Sequence, residues 1–241
     1  MFKLNTTCLV IFTLLLSANF AKAQSWVPAY YYDVQGNKIT GLIKTKPGGR
    51  SPVRDEAFIQ FKSDKLGDKK ISASELRSFV VGRDSFVVAA APRSGAWSDK
   101  ELDFVKVALD EPLKLYAFTG RTGGAPSASG VSIGVGGGIG GGGGGFGWGL
   151  GGGFMFPLGG GGGHVHTSYY FGANTAEMQE LTPVNFADAM SQIMGDEPDV
   201  VNKIQDGEYN LGNINKLIDL FNATEAADTR PVAPPIPSTS N

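Results

Sequence analysis

Between Gly134 and Gly163, 20 of 30 residues are glycine, and no Asp, Glu, Lys or Arg occurs between Arg121 and Glu177. In a helix each glycine costs about 1 kcal/mol relative to alanine, roughly 20 kcal/mol over the tract. A stable helix in water is therefore excluded. Long strands are disfavoured too, because glycine loses the most backbone entropy on ordering and brings no side chain to pack. The apolar residues are nevertheless patterned: Val131, Ile133 and Val135 alternate, as do Phe146, Trp148 and Leu150, and Phe154, Phe156 and Leu158. Period two puts each trio on one side of an extended backbone. Such a tract reads as a flexible loop with apolar spots, or as a surface that associates with membrane, polymer or its own copies. A phosphate cradle is the remaining option. Gly136, Gly138 and Gly141 satisfy GxGxxG, but so glycine-rich a tract matches by chance and lacks the helix that must follow. Phe146, Trp148, Leu150, Phe154 and Phe156 are accordingly the candidate binding residues.

The N-terminus has the form of a secretory signal peptide over residues 1–23. Lys3 supplies the positive start, Cys8 to Leu16 the apolar core, and Ala21-Lys22-Ala23 the small-x-small cleavage site. The apolar run falls far below the ~20 residues of a membrane-spanning helix. Export to the periplasm, the cell surface or the medium is expected. Cleavage would remove Cys8, the only cysteine, and with it any disulfide, thiolate nucleophile or cysteine metal ligand. Losing Lys3 and Lys22 leaves 19 basic against 23 acidic residues, a net charge of −4. That balance gives no electrostatic footprint for nucleic acid and no polybasic patch for anionic lipid.

From Trp26 to Phe118 the signals are strand and turn. Tyr30-Tyr31-Tyr32 with Val34 form a β-favouring run, Gln35-Gly36-Asn37 a turn, and Ile39 to Ile43 a second strand. Ala57 to Phe61 is a third, with Gly67-Asp68-Lys69-Lys70 as its exit turn. Ser72 and Glu75 have capping-box spacing, predicting a helical turn over Ala73 to Arg77. Hairpins follow around Gly82-Arg83-Asp84 and Asp110-Glu111-Pro112. Leu113 to Phe118 and His166 to Phe171 are both aromatic and β-favouring, and their pairing would make the glycine tract (130–164) an overgrown hairpin loop. Each doubling of loop length costs only about 0.6 kcal/mol, roughly 2 kcal/mol for growth from four residues to nearly fifty.

After Gly172 the period becomes helical. Thr182 is the expected cap of a helix carrying Phe186, Met190, Ile193 and Met194 on one face, with Gly195 ending it. Pro198 opens a second short helix with Val201 and Ile204 inward, and Asn210 caps a third bearing Leu211, Ile214, Leu217, Ile218 and Phe221. Residues 223–241, with Pro231, Pro234, Pro235 and Pro237, read as a disordered tail. The fold class is α+β: a mainly antiparallel sheet, sandwich or barrel-like, with two to three C-terminal helices and a long Gly-rich hairpin insert. Residues 24–222 form one domain.

This order of features resembles a family of uncharacterised exported β-rich bacterial envelope proteins. The likeness is carried by the tyrosine-rich first strand, Gly41-Leu42-Ile43, the segment Ile71 to Phe79, Leu113-Lys114-Leu115-Tyr116, Tyr169-Tyr170, and Leu217 to Asn222. It spans residues 25 to 222 without the glycine insert, and implies an envelope protein with no assigned activity.

Residues for chemistry are few. His164 and His166 are the only histidines and supply at most half of a metal site, to be completed by carboxylates such as Asp103 or Asp110. No serine has a lysine three residues later, and no HExxH is present. Asp99, Glu101 and Asp103 form one acidic run, and Asp196, Glu197 and Asp199 another. Glycoside hydrolysis needs two carboxyls about 5 to 9 Å apart across a bond, whereas acids in turns and at helix starts are ordinarily solvated. Tyr30, Tyr31, Tyr32, Trp148, Tyr169 and Tyr170 offer an aromatic platform for carbohydrate or peptide, with alternation sending part of each cluster inward. The expectation is an exported, non-enzymatic envelope protein without cofactor, acting through surface, partner or self-association of its Gly-rich loop. Peripheral membrane contact through that loop is a further option. A secreted hydrolase or carbohydrate-binding module is the alternative.

Overall fold

The first two strands alternate inward and outward residues, and that alternation fixes the first half of the fold. The computed structural model describes residues 26–45, 47–92, 97, 100–122, 134–135, 154–155 and 164–228. In β1 (Trp26–Asp33) and β2 (Lys38–Lys44), Ala29, Tyr31, Ile39 and Ile43 join one hydrophobic cluster, while Trp26, Tyr30, Tyr32, Lys38 and Leu42 hold the opposite parity. The turn between them is held by Asp33, whose Oδ1 accepts from the Asn37 N–H at 2.8 Å and whose Oδ2 accepts from Asn37 Nδ2 at 2.9 Å.

The chain continues through β3 (Phe58–Ser63), β4 (Gly67–Ser72), β5 (Leu76–Val81), β6 (Asp84–Ala90), β7 (Leu102–Leu109) and β8 (Lys114–Thr122). Two short strands, β9 (Gly134–Val135) and β10 (Phe154–Met155), pair with each other in a separate sheet. β11 (His164–Gly172) and β12 (Gln179–Glu180) return to the main sheet. That sheet has ten strands in the order β12-β11-β8-β7-β6-β5-β1-β2-β3-β4, every neighbouring pair antiparallel.

The expected pairing across the glycine tract is present. β8 and β11 run in register for nine pairs, from Lys114↔Gly172 to Thr122↔His164. The β7–β8 register ends at Ala117 and the β11–β12 register begins at Tyr170. Among the described residues, the last five pairs, Phe118↔Ser168 to Thr122↔His164, therefore have no third strand in the ladder. They form a two-stranded arm at the start of the glycine tract.

The sheet is not flat. Glu56, just before β3, bridges Leu102 of β7 in parallel, although four strands separate β3 from β7 in the sheet order. The Ala57 N–H donates to the Leu102 carbonyl, and the Glu101 N–H to the Asp55 carbonyl, both at 2.8 Å. The cluster enclosed by this bend contains Tyr31, Ile43, Phe61, Phe79 and Phe86. The predicted turn at Ser72 is a 3-10 turn over Ala73–Glu75, with the Ser72 N–H donating to Glu75 Oε2 at 3.0 Å.

Three helices cover the other half: α1 (Phe186–Ile193), α2 (Pro198–Gln205) and α3 (Ile214–Asp228). Their buried faces pack on Leu109, Leu115, Ala117 and Tyr169 of β7, β8 and β11. On the opposite face, Val105, Tyr116, Phe118 and Tyr170 form a further cluster with Trp97 and Met178.

Four local expectations are corrected. Gly67–Lys70 is not an exit turn but most of β4, a polar edge strand paired with β3. The first strand begins at Trp26 rather than near Tyr30. The first helix starts at Phe186, because the Thr182 N–H donates to Asn185 Oδ1 (2.7 Å) and the two residues form a turn before it. Helix α3 runs to Asp228, so residues 223–228 of the segment read as a tail are helical. Residues 1–23, which carry the expected signal peptide, and residues 229–241 lie outside the described residues.

Candidate functional site

The arm brings the glycine tract to one end of the β8–β11 ribbon. Phe146, Trp148, Leu150 and Phe156 lie outside the described residues, and Phe154 is described only as backbone, opposite Val135. The charge-free span between Arg121 and Glu177 includes the His164–Ser168 half of the arm.

His164 and His166 occupy arm positions opposite Thr122 and Gly120. The carboxylates considered as their partners lie elsewhere. Asp110 forms an ion pair with Lys114 at the β7–β8 turn. Asp103 is buried on β7 opposite Ala89, its Oδ1 accepting from the Phe104 N–H at 2.8 Å. Because the β7–β8 register stops at Lys106↔Ala117, strand pairing does not align Asp103 with the histidine positions. Among the described residues no group of three or more His, Cys, Asp or Glu is placed to hold a metal.

A match to G-x-S-x-G occurs at Gly130-Val131-Ser132-Ile133-Gly134. Ser132 lies outside the described residues, and the following Gly134–Val135 pairs as strand β9, where that motif needs a helix start. The acidic run Asp196, Glu197 and Asp199 sits at the start of α2, with Asp196 and Asp199 exposed. There the carboxylates favour the helix N-terminus electrostatically.

The aromatic clusters separate by parity. Tyr31 is buried and meets Phe61 edge-on at 4.9 Å. Tyr169 and Tyr170 are buried on opposite faces of β11. The Tyr169 hydroxyl donates to Asn215 Oδ1 at 2.7 Å, and burial raises its phenol above the ordinary range. Burial, aided by the charge of Glu180 and opposed by a hydrogen bond with Ser168, pushes Tyr170 up to about 12. Both phenols therefore stay protonated at neutral pH and serve the core. Tyr30 and Tyr32 remain on the outward face, edge-to-face at 5.8 Å, with Lys38 Nζ 3.8 Å from the Tyr30 ring centre.

Two other features were not foreseen from the sequence. A cleft of about 670 Å³ lies between Ala90–Pro92 and the segment from Thr175 to Asn185. The Asn185 amide on its wall is committed to structure, accepting from the Thr182 N–H and donating to the Glu180 carbonyl. The second is a carboxyl group at the β7–β8 turn. Partial burial, followed by the charges of Glu225, Asp196 and Asp110, raises the Glu111 carboxyl above its ordinary range.

The folded state thus binds a proton at Glu111 more readily than the unfolded chain does. Stability from this group is fully present below the unfolded carboxyl's pKa and is lost as pH rises through the folded value. Glu111→Gln is expected to raise the thermal midpoint at neutral pH and to leave it unchanged well below the carboxyl range. A fall at neutral pH would show that Glu111 makes a stabilising contact instead.

Among the described residues no helix is long and apolar enough to cross a membrane. Comparison with protein-family models, with curated proteins and with solved structures finds no match to this chain.

Proposed function

We propose that this chain is an exported, non-enzymatic envelope protein that associates through the glycine-rich segment carried by the β8–β11 arm, with its own copies as the first partner. The reading is supported above all by the arm itself, whose five outermost pairs lack a third strand among the described residues. An open ribbon edge offers unpaired N–H and C=O groups to another strand. The uncharged, alternating apolar trios beyond it suit close, dry packing between identical segments. The barrel-like reading of the first half draws on the Glu56–Leu102 bridge. The long-hairpin reading of the insert draws on the nine-pair register.

Deleting Gly134–Gly163 is expected to preserve the far-UV circular dichroism of the body and its unfolding midpoint. In sedimentation experiments the full chain should gain mass with concentration, and the deletion variant should stay monomeric. Equal association by both chains would remove the segment's role, and a monomeric full chain would remove self-association.

A further inference from the structure

We propose that the outward face of β1 and β2 binds a linear anionic glycan, with Trp26 and Tyr30 as stacking rings and Lys38 and Lys44 as charge partners. Trp26, Tyr30 and Tyr32 share one parity on β1 and are half-buried. None of them joins the hydrophobic clusters that make up the core. Leu42 on the same face is 37 % exposed.

The register explains the grouping. Trp26 lies opposite Lys44, and Tyr32 opposite Lys38. Lys44 Nζ is 5.7 Å from the Trp26 ring centre, and Lys38 Nζ is 3.8 Å from that of Tyr30. The face therefore has a ring and an ammonium at each end. Six residue steps along β2 separate the two lysines, about 20 Å, a span that an extended chain can follow and a monosaccharide cannot. Exposed cation–π contacts are weak, so the lysines can leave the rings when a carboxylated sugar stacks there.

Charge complementarity selects the anionic class. No carboxylate occupies the outward positions of β1 and β2 from Trp26 to Tyr32 and from Lys38 to Lys44. Asp33, the last residue of β1, is bound by Asn37, and Asp68 on β4 is bound by Gln60 at 2.8 and 3.0 Å. A glycan also suits the site better than an extended peptide. The site is a sheet face rather than a strand edge, so what it presents is ring faces and ammonium groups from Trp26, Tyr30, Lys38 and Lys44 and not a main-chain ladder.

The test uses the full chain in affinity electrophoresis with polygalacturonate, its fully methyl-esterified form, poly-L-glutamate and phosphatidylglycerol vesicles. Polygalacturonate should retard the protein, and esterification should abolish most of the effect. Tyr30→Ala and the pair Lys38→Gln/Lys44→Gln should each weaken binding by about tenfold. The lysine pair alters only surface groups, so it reports on binding even if Tyr30→Ala perturbs folding. The Gly134–Gly163 deletion should bind as the full chain does, so this site and the arm can fail separately. The proposal is overturned if polygalacturonate has no effect, if the lysine pair binds normally, or if poly-L-glutamate or the vesicles bind as tightly through the same residues.

Discussion

Gly41→Ala is expected to destabilise the protein by about 3 kcal/mol, the upper part of the usual range for overpacking a filled core. A methyl group at this position would overlap the Lys62 carbonyl oxygen and lie 2.7 Å from two carbons of the Phe61 ring. The carbonyl belongs to the neighbouring strand β3 and cannot swing aside as a side-chain tip could. Phe61 is fully buried and wedged against Tyr31, so its ring has little room to yield. Gly41 faces Ala29 across the β1–β2 ladder, and these two small residues opposite one another leave space for the ring. Denaturant unfolding of the two chains measures the effect. Phe61→Leu should cost less in the Gly41→Ala background than alone, because it relieves part of the clash. An unchanged midpoint for Gly41→Ala would mean that β2 and β3 do not approach this closely.

Phe79→Ala should cost about 4 kcal/mol, within the range for emptying a large aromatic site. Phe79 stacks on Phe86 with ring centres 4.8 Å apart and meets Phe104 edge-on at 5.0 Å. It therefore links β5, β6 and β7 inside the bend that brings β3 towards β7. A collapsed site would reduce the loss, but two rigid neighbouring rings limit collapse. A loss below about 1 kcal/mol would place Phe79 at the periphery rather than inside the core.

Much of this arrangement was legible because the signals were local. The aromatic runs on either side of the glycine tract named each other as partners, and β8 and β11 pair over those residues. Ser72 and Glu75 form the expected capping interaction. The faces read for the first and third helices, Phe186 to Met194 and Ile214 to Phe221, meet the sheet, whereas in α2 the buried pair is Val200 and Ile204 rather than the expected Val201 and Ile204.

Other features were hidden for physical reasons. β4 reads as a turn because an edge strand can be solvated, and Asp68, Lys69 and Lys70 suit such an edge. Pro28 interrupts the strand pattern of β1 and disguises its start. The parallel bridge between Glu56 and Leu102 joins residues far apart in sequence and leaves no local signature. The tyrosine cluster announced alternation without stating its phase. Only the pairing of β1 with β2 and β5 sends Tyr31 inward and leaves Tyr30 and Tyr32 outside.

Hydrogen exchange on the full chain, compared between dilute and concentrated samples, tests the proposed association most directly. The body should show the same protection in both. Amides of 134–163 should gain protection at high concentration, together with the outer edges of Thr119–Thr122 and His164–Thr167. Rising mass with unchanged exchange in that segment, and new protection elsewhere, would contradict the account and move the association site to the body.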